Sequence, residues 1–187
     1  MIDRETRRSE LVVRLAAHVL ANGLGRTSVR DLAGAAGTSD RMLLYYFADK
    51  AEILTVVLTR IASDMAAALD MALPFGTRHA PAALLAAVGS MAASPAMRPY
   101  MELWAEIAAQ AARGTAPFVL IAEAIATGFR DWFDARLAID DPVLRAAMAA
   151  LLIIAVDGAA LLSPMGGGVI ARDGLALLGT LLQQEFP

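Results

Sequence analysis

The sequence predicts an all-α fold. Of its 187 residues, 58% are hydrophobic and only 6% are aromatic, so the apolar side chains are mostly Ala and Leu, which are strong helix formers. Apolar residues recur at helical spacing along most of the chain, and breaks that contain Gly or Pro separate these segments. No cysteine is present, which excludes disulfides and cysteine-based metal sites. We expect about nine helices, with a head of three N-terminal helices on a larger helical body.

The first helix is predicted at about Glu5 to Asn22. Apolar residues share one face from Leu11 to Val19, and charged residues occupy another. Gly23 follows as a C-terminal glycine. Arg7 and Arg8, near the start of the helix, are interpreted either as contacts to DNA phosphates or as solvated arginines.

Two short helices joined by a tight turn follow the first helix. Ser28 and Asp31 form a short-armed capping box, which predicts a helix at about Val29–Ala36. Gly37 stands where the end of that helix needs a residue that tolerates the left-handed conformation, and Ser39 can cap the next helix. The pattern predicts a helix-turn-helix.

A helix-turn-helix can read DNA through its second helix, whose N-terminal side chains contact base edges in the major groove. In this sequence those side chains are Thr38, Asp40, Arg41 and Met42. The alternative is that the two helices merely pack together in an all-α domain, and the pattern alone does not exclude it.

The residues around the second short helix form a further pattern, in which a glycine and a serine-led helix are followed by aromatic residues and then Phe-x-x-Lys. The matching residues are Gly37, Ser39, Leu43, Tyr45, Phe47 and Lys50. This pattern resembles the signature of the TetR family of bacterial transcriptional regulators. The sequence departs from the signature at Leu44, where the family usually has a phosphate-contacting tyrosine, at Tyr46, where it has histidine, and at Asp40, where lysine is frequent.

The resemblance implies a cytoplasmic, homodimeric DNA-binding transcriptional regulator. It implies a repressor that leaves an inverted-repeat operator in double-stranded DNA when a small hydrophobic or aromatic effector binds. The alternative is a ligand-binding helical dimer that has lost specific DNA binding, which Leu44 and Asp40 motivate. The predicted DNA-contacting residues are Thr27, Ser28, Arg30, Thr38, Ser39, Asp40, Arg41, Met42, Leu44, Tyr45, Tyr46 and Lys50.

A long helix is predicted from Lys50 to about Leu73. We place a domain boundary at its start, between a DNA-binding domain, residues 1–50, and a ligand-binding and dimerisation domain, residues 51–187. The first domain carries eight Arg and Lys against six Asp and Glu, and the second carries eight against thirteen. The positive charge therefore lies with the helix-turn-helix. Lys50 falls in the first turn of the long helix, where the macrodipole disfavours a cation unless a phosphate lies beside it.

The body contains further helical segments separated by Pro and Gly. They are predicted at about Ala82–Ala93, Ala96–Arg113, Pro117–Leu137, Pro142–Leu162 and Arg172–Phe186. The last two are either ordinary core helices or a dimer interface, and the family resemblance favours the interface. The predicted interface residues are Leu152, Val156, Leu175, Leu178 and Leu182.

Residues 146–162 are nearly all apolar. The run is shorter than the ~20 residues that a membrane span needs, and it contains Asp157. We therefore predict a buried helix and no membrane partner.

An effector site is predicted in the middle of the body. Its candidate residues are Met97, Met101, Trp104, Phe118 and Phe129. Methionines adapt to varied apolar shapes, and alanine-rich neighbours leave space for a ligand. The alternative is an ordinary core, because Met and aromatic residues at helical spacing usually just pack. Glu106, Gln110 or Glu123 is expected to supply an orienting polar group.

Residues for catalysis are not apparent in the sequence. His18 and His79, the two histidines, have no visible partners, and the glycine run 166–168 lacks the Lys-Ser/Thr of a phosphate-binding loop. We predict no enzyme activity, no metal and no cofactor.

Overall fold

The computed structural model describes residues 3–186. Within this range the chain forms nine α-helices and two short 3-10 turns, and the prediction of an all-α fold with a helix-turn-helix head is confirmed. The helices are α1 (Arg4–Asn22), α2 (Val29–Ala36), α3 (Asp40–Tyr46), α4 (Lys50–Ala72), α5 (Pro81–Ala92), α6 (Arg98–Ala112), α7 (Phe118–Asp134), α8 (Pro142–Leu162) and α9 (Gly168–Glu185).

Two helix boundaries differ clearly from the prediction. Helix α9 begins at Gly168, four residues before the predicted Arg172, because the chain reverses at Gly166, which has a φ of 85°. Helix α7 ends at Asp134 rather than near Leu137, because Leu137 forms an isolated parallel bridge with His79. A local left-handed turn therefore sets the start of α9, and pairing with a distant residue sets the end of α7.

Packing divides the chain into two compact units. The first contains the residues up to Met65 together with Glu102–Ile125, and the second contains Ala66–Met101 together with the residues from Ala126 onward. The predicted boundary at residue 50 separates regions by function and stays a prediction.

In the first unit, α2 packs against both α1 and α3. The side chains at the centre of this head are apolar and almost fully buried, which removes them from water and stabilises the three-helix arrangement. They include Leu15, Val19, Leu32, Leu43 and Phe47. Arg14 adds a polar tie by donating to the carbonyl oxygen of Ala36 at the end of α2.

In the second unit, α5, α8 and α9 pack against one another around an apolar core. Leu152, Val156 and Leu182 are buried in this core, and Leu175 and Leu178 pack partly buried against it. The first three side chains therefore stabilise the fold of their own chain. Their burial corrects the prediction that they form a dimer interface.

Arg136 ties the end of α4 to the end of α7 within the second unit. Its buried guanidinium donates to the carbonyl oxygens of Leu73 and Trp132 and to the Asp70 carboxylate, and it lies 4.0 Å from the Trp132 ring centroid. Burial lowers the pKa of Arg136, and Asp70 opposes that shift. A buried cation that is hydrogen-bonded through each of its three nitrogens fixes the ends of two helices.

Helix α8 has the predicted bounds but is less buried than predicted. It is 21 residues long, and the window Pro142–Met165 is long and apolar enough to cross a membrane by length and composition, with a mean hydropathy of 2.1 and 22% of it buried. Only one face, which includes Met148, Ala149, Leu152 and Val156, packs into the core. The opposite face is apolar and exposed, so the expectation of a buried helix holds for only one face of α8.

Candidate nucleic-acid interface

The turn between α2 and α3 has the local chemistry that the sequence predicts. Ser28 caps α2, since its hydroxyl oxygen accepts from the Asp31 amide at 3.1 Å. Gly37 is left-handed, with φ 67° and ψ 40°, and ends α2. Ser39 then caps α3 by accepting from the Met42 amide at 3.3 Å. These contacts place α3 directly after a tight reversal of the chain.

Helix α3 has one buried side and a broad exposed side. Leu43 is buried in the head, whereas Met42, Leu44 and Tyr45 are exposed, Tyr45 by 60%. Asp40 and Arg41, in the first turn, are also exposed. A short helix with charged residues at its start and accessible side chains along one face has the form of a recognition helix.

The predicted contacts outside α3 differ in accessibility. Arg30 on α2 and Lys50 at the start of α4 are exposed and can meet phosphates. Thr27 is only 5% exposed and donates its hydroxyl to the Leu24 carbonyl oxygen, so we leave it out of the proposed contacts. Tyr46 is half-buried, and its ring lies 5.2 Å from that of Tyr45 in an edge-on arrangement.

The arginines at the start of α1 are paired within the protein. Arg7 forms an ion pair with Glu10, and Arg8 forms one with Glu52, each at 2.7 Å. Arg4 donates to the carbonyl oxygen of Tyr45 and lies over its ring. Both guanidiniums are therefore paired within the chain, and a contact of either with phosphate stays a prediction.

Sequence reasoning missed the role of Glu106. Its carboxylate accepts from the Leu24 amide at 2.6 Å, which joins α6 to the turn after α1 within the first unit. Glu106 thus binds the backbone of the head, instead of the effector-orienting role predicted for it. The two residues lie 82 positions apart, so no local sequence signal could have revealed the contact.

The predicted effector residues are individually placed but not brought into a described site. Met97 and Phe118 are buried, and Met101, Trp104 and Phe129 are half-buried. Trp104 and Phe118 belong to the first unit and the other three to the second. The effector site stays a prediction. Within residues 3–186, no group of three or more His, Asp or Glu side chains is arranged to hold a metal ion.

Comparison with known proteins identifies the head. Residues 13–57 match the model of the family described as bacterial regulatory proteins, tetR family. The head of the chain is therefore similar to the DNA-binding head of the TetR family. The match covers the segment from within α1 to within α4, which contains the whole helix-turn-helix described above.

Solved structures extend the similarity over nearly all of the chain. A transcriptional regulator from Rhodococcus sp. Rha1 is 26% identical, with a TM-score of 0.72 over 96% of this chain and 97% of the other. A TetR-type transcriptional regulator from Streptomyces avermitilis is also 26% identical, with a TM-score of 0.66 over the same shares. A TetR-family transcriptional regulator from Rhodococcus sp. has 17% identity and a TM-score of 0.70 over 97% of this chain and 98% of the other, which shows the fold alone. A search of curated protein sequences finds no match.

The fold, the helix-turn-helix and these similarities together make the protein a DNA-binding transcriptional regulator. Its chemistry is therefore that of binding, in which side chains meet phosphates and base edges, and not that of an enzyme.

Proposed function

We propose that this protein is a homodimeric repressor of the TetR type that binds an inverted-repeat operator and is released by a small hydrophobic ligand. The exposed face of α3 is the observation that carries the DNA-binding part. It offers a guanidinium fork on Arg41 and apolar side chains on Met42 and Leu44. Arginine suits the O6/N7 edge of guanine, and apolar groups suit the methyl group of thymine.

Dimerisation is supported by the exposed apolar faces of α8 and α9. On α8 the exposed residues Leu144, Leu151, Ile154 and Leu161 recur at helical spacing, and on α9 Ile170, Leu177 and Leu181 do the same. Exposed apolar stripes of this extent mark interaction sites. We propose that two copies of the chain pair through these stripes, in place of the buried residues that the sequence suggested.

A dimer also suits the reading head. One helix-turn-helix reads one half-site, and two heads related by a two-fold axis read an inverted repeat whose half-site centres lie about 34–36 Å apart or a multiple of that distance. Ligand release then requires the ligand to favour a dimer whose heads no longer match this spacing. A hundredfold loss of DNA affinity corresponds to ~2.7 kcal/mol of coupling between the two sites.

A second candidate is a ligand-binding helical dimer without specific DNA binding. Asp40 and Leu44 favour it, because both are exposed on α3 at positions where the family usually has a cation or a phosphate-contacting tyrosine. A carboxylate on the reading face repels phosphates. This candidate predicts a dimer with weak affinity for DNA of every sequence.

The test is selection of bound duplexes from a random-sequence library, followed by gel shift and sedimentation of the protein alone. An enriched inverted repeat bound by a dimer supports the proposal. Failure to enrich any sequence with a dimeric protein supports the second candidate, and a monomer that binds no DNA selectively contradicts both.

The effector part has its own test. Aromatic compounds are titrated while tryptophan fluorescence and operator binding are followed in Trp104→Phe and in Trp132→Phe. Trp132 is the control, because its indole N–H donates to Asp70. Ligand binding that weakens in Trp104→Phe but not in Trp132→Phe, and that lowers operator affinity in the unchanged protein, supports the effector site.

A further inference from the structure

Arg8 of α1 reaches the C-terminal end of the recognition helix. Its Nη2 donates to Glu52 Oε1 at 2.7 Å, and its Nε donates to the carbonyl oxygen of Tyr46 at 3.4 Å. The guanidinium carbon lies 4.8 Å from the centroid of the Phe47 ring. One side chain therefore connects α1 with the last residue of α3, the residue after it and the first turn of α4.

Glu52 completes the connection from the other side. Its second carboxylate oxygen accepts from the Ala48 amide at 2.5 Å, and its own amide donates to Asp49 Oδ1 at 2.8 Å. The loop between α3 and α4 is thereby held by the side chain of Glu52. Both members of the pair are only partly exposed, with side-chain exposures of 31% for Arg8 and 37% for Glu52.

Helix α3 depends on such outside contacts. It has only seven residues, too few for a helix to be stable by itself, and its last carbonyl oxygens have no partners within the helix. A cation at this end also interacts favourably with the helix dipole. The contacts of Arg8 and Glu52 therefore fix the direction in which α3 presents Arg41 and the place of Lys50 beside it.

We propose that the Arg8–Glu52 pair is a positioning element for sequence-specific DNA binding, which aligns α3 with Lys50 without touching a base or a phosphate. This inference rests on the DNA-reading role proposed above. The proposal predicts that neutralising Glu52 weakens binding to the operator, which is the opposite of what charge alone predicts. Glu52 is a carboxylate two residues from Lys50, so simple electrostatics expects its neutralisation to strengthen binding to all DNA.

The experiment compares Glu52→Gln and Arg8→Lys with Glu10→Gln. The control removes the same charge from the Arg7–Glu10 pair, which has the same 2.7 Å distance but lies within α1. We expect Glu52→Gln to weaken binding to the selected operator about tenfold, with random-sequence duplex bound as well as before or better. Arg8→Lys should give the same selective loss, because an ammonium group lacks the fork that meets two acceptors. Glu10→Gln should stay within about twofold on both DNAs.

Two further readouts separate positioning from direct contact and from loss of fold. The salt dependence of operator binding should keep its slope in Arg8→Lys and Glu52→Gln, since a lost phosphate contact would lower the slope by about 0.9. Hydrogen exchange at the Ala48 amide should be faster in Arg8→Lys than in Glu10→Gln, and this measurement needs no DNA. Thermal unfolding shows whether each variant is folded. If Glu52→Gln does not fold, the results for Arg8→Lys decide the proposal.

Unchanged or tighter operator binding by Glu52→Gln would overturn the proposal, as would an equal loss on operator and random DNA. Unchanged exchange at Ala48 in Arg8→Lys would overturn it whether or not DNA is bound. If the unchanged protein selects no DNA sequence, the proposed function fails, and the exchange result still decides whether the pair holds the loop.

Discussion

At the scale of single residues, the cap of α2 combines two interactions of Ser28. Its hydroxyl oxygen accepts from the Asp31 amide, and its hydroxyl hydrogen is donated to Asp31 Oδ2 at 2.5 Å. The second interaction is the main cause that holds the pKa of Asp31 below its ordinary value of 3.8. A carboxyl group with a lowered pKa contributes stability above its unfolded pKa and loses it as the pH falls through the folded pKa.

We therefore predict that Ser28→Ala lowers the free energy of unfolding by about 1 kcal/mol at neutral pH. The difference from the unchanged protein should shrink as the pH falls below the ordinary Asp value of 3.8, because protonated Asp31 no longer gains from the hydroxyl. Ser63→Ala is the control, since the Ser63 hydroxyl only donates back to Thr59 within α4. Urea unfolding at several pH values measures both variants, and a difference that stays constant down to acid pH would contradict the role of Asp31.

Arg41 and Lys50 are expected to contribute to DNA binding in different ways. Arg41 is exposed in the first turn of α3, where its fork can read a guanine, so Arg41→Ala should cost ~1–3 kcal/mol and flatten the preference at one position of each half-site. Lys50→Ala should weaken all sequences alike, because a lysine at a helix start meets phosphate rather than a base edge. Gel shifts against the operator and its single-base variants measure this. Equal losses on specific and random DNA for Arg41→Ala would contradict the assignment.

The sequence was informative about residues wherever the chemistry is local. The Ser28 and Ser39 caps and the left-handed Gly37 follow from residue type and spacing, and the structure confirms them. Thr27 and Glu106 were misjudged, because the burial of the first and the partner of the second depend on residues that fold against them.

At the scale of helices, the close approach of α6 to the turn after α1 explains Gly23. This residue has φ 66° and ψ −167°, a conformation that is nearly exclusive to glycine. A Cβ at this position would also overlap the Glu106 carboxylate. Only glycine therefore permits both the turn and the contact with α6.

We predict that Gly23→Ala destabilises the protein by about 1–3 kcal/mol. Gly25→Ala is a matched control two residues away, because an added Cβ there meets nothing within 4 Å and its φ is not positive. Glu106→Ala should speed exchange of the Leu24 amide without the backbone strain. Thermal unfolding and hydrogen exchange test these expectations, and equal stability of the two glycine variants would show that neither the conformation nor the contact matters.

Helix existence was predictable at this scale, and some ends were not. The spacing of apolar residues and the Gly and Pro breaks located every helix of the described chain, including α2 and α8 with their bounds. The end of α7 was missed, since it is set by the pairing of Leu137 with His79, 58 positions earlier in the chain, which a local pattern does not encode.

At the scale of the whole molecule, the sequence alone does not show which faces of α8 and α9 are buried in the core of their own chain. Both helices are apolar on more than one face, so the stripe through Leu152 and Val156 looked as suitable for a partner as the stripe through Leu151 and Ile154. The structure separates the two, because Leu152 is 0% exposed and Ile154 is 70% exposed. A helix that is apolar nearly all round is explained when one face meets its own core and the other meets a second chain.

The proposed dimer interface predicts that charges placed on the exposed faces of α8 and α9 change the oligomeric state. A charge placed at the centre of an apolar interface is costly to bury without a partner, so Ile154→Glu combined with Leu177→Glu should convert a dimer into a folded monomer. Leu177 is 62% exposed on α9, so neither change disturbs the core of the chain. Leu120→Glu is the control, since Leu120 is 72% exposed but lies on α7.

Because linking two heads raises the affinity by roughly 10²-fold or more, the double variant should lose operator binding by at least that factor while Leu120→Glu keeps it. Sedimentation equilibrium and gel shifts decide the matter: a double variant that stays dimeric would place the interface elsewhere, and a monomer that binds the operator undiminished would show that DNA binding does not need the dimer.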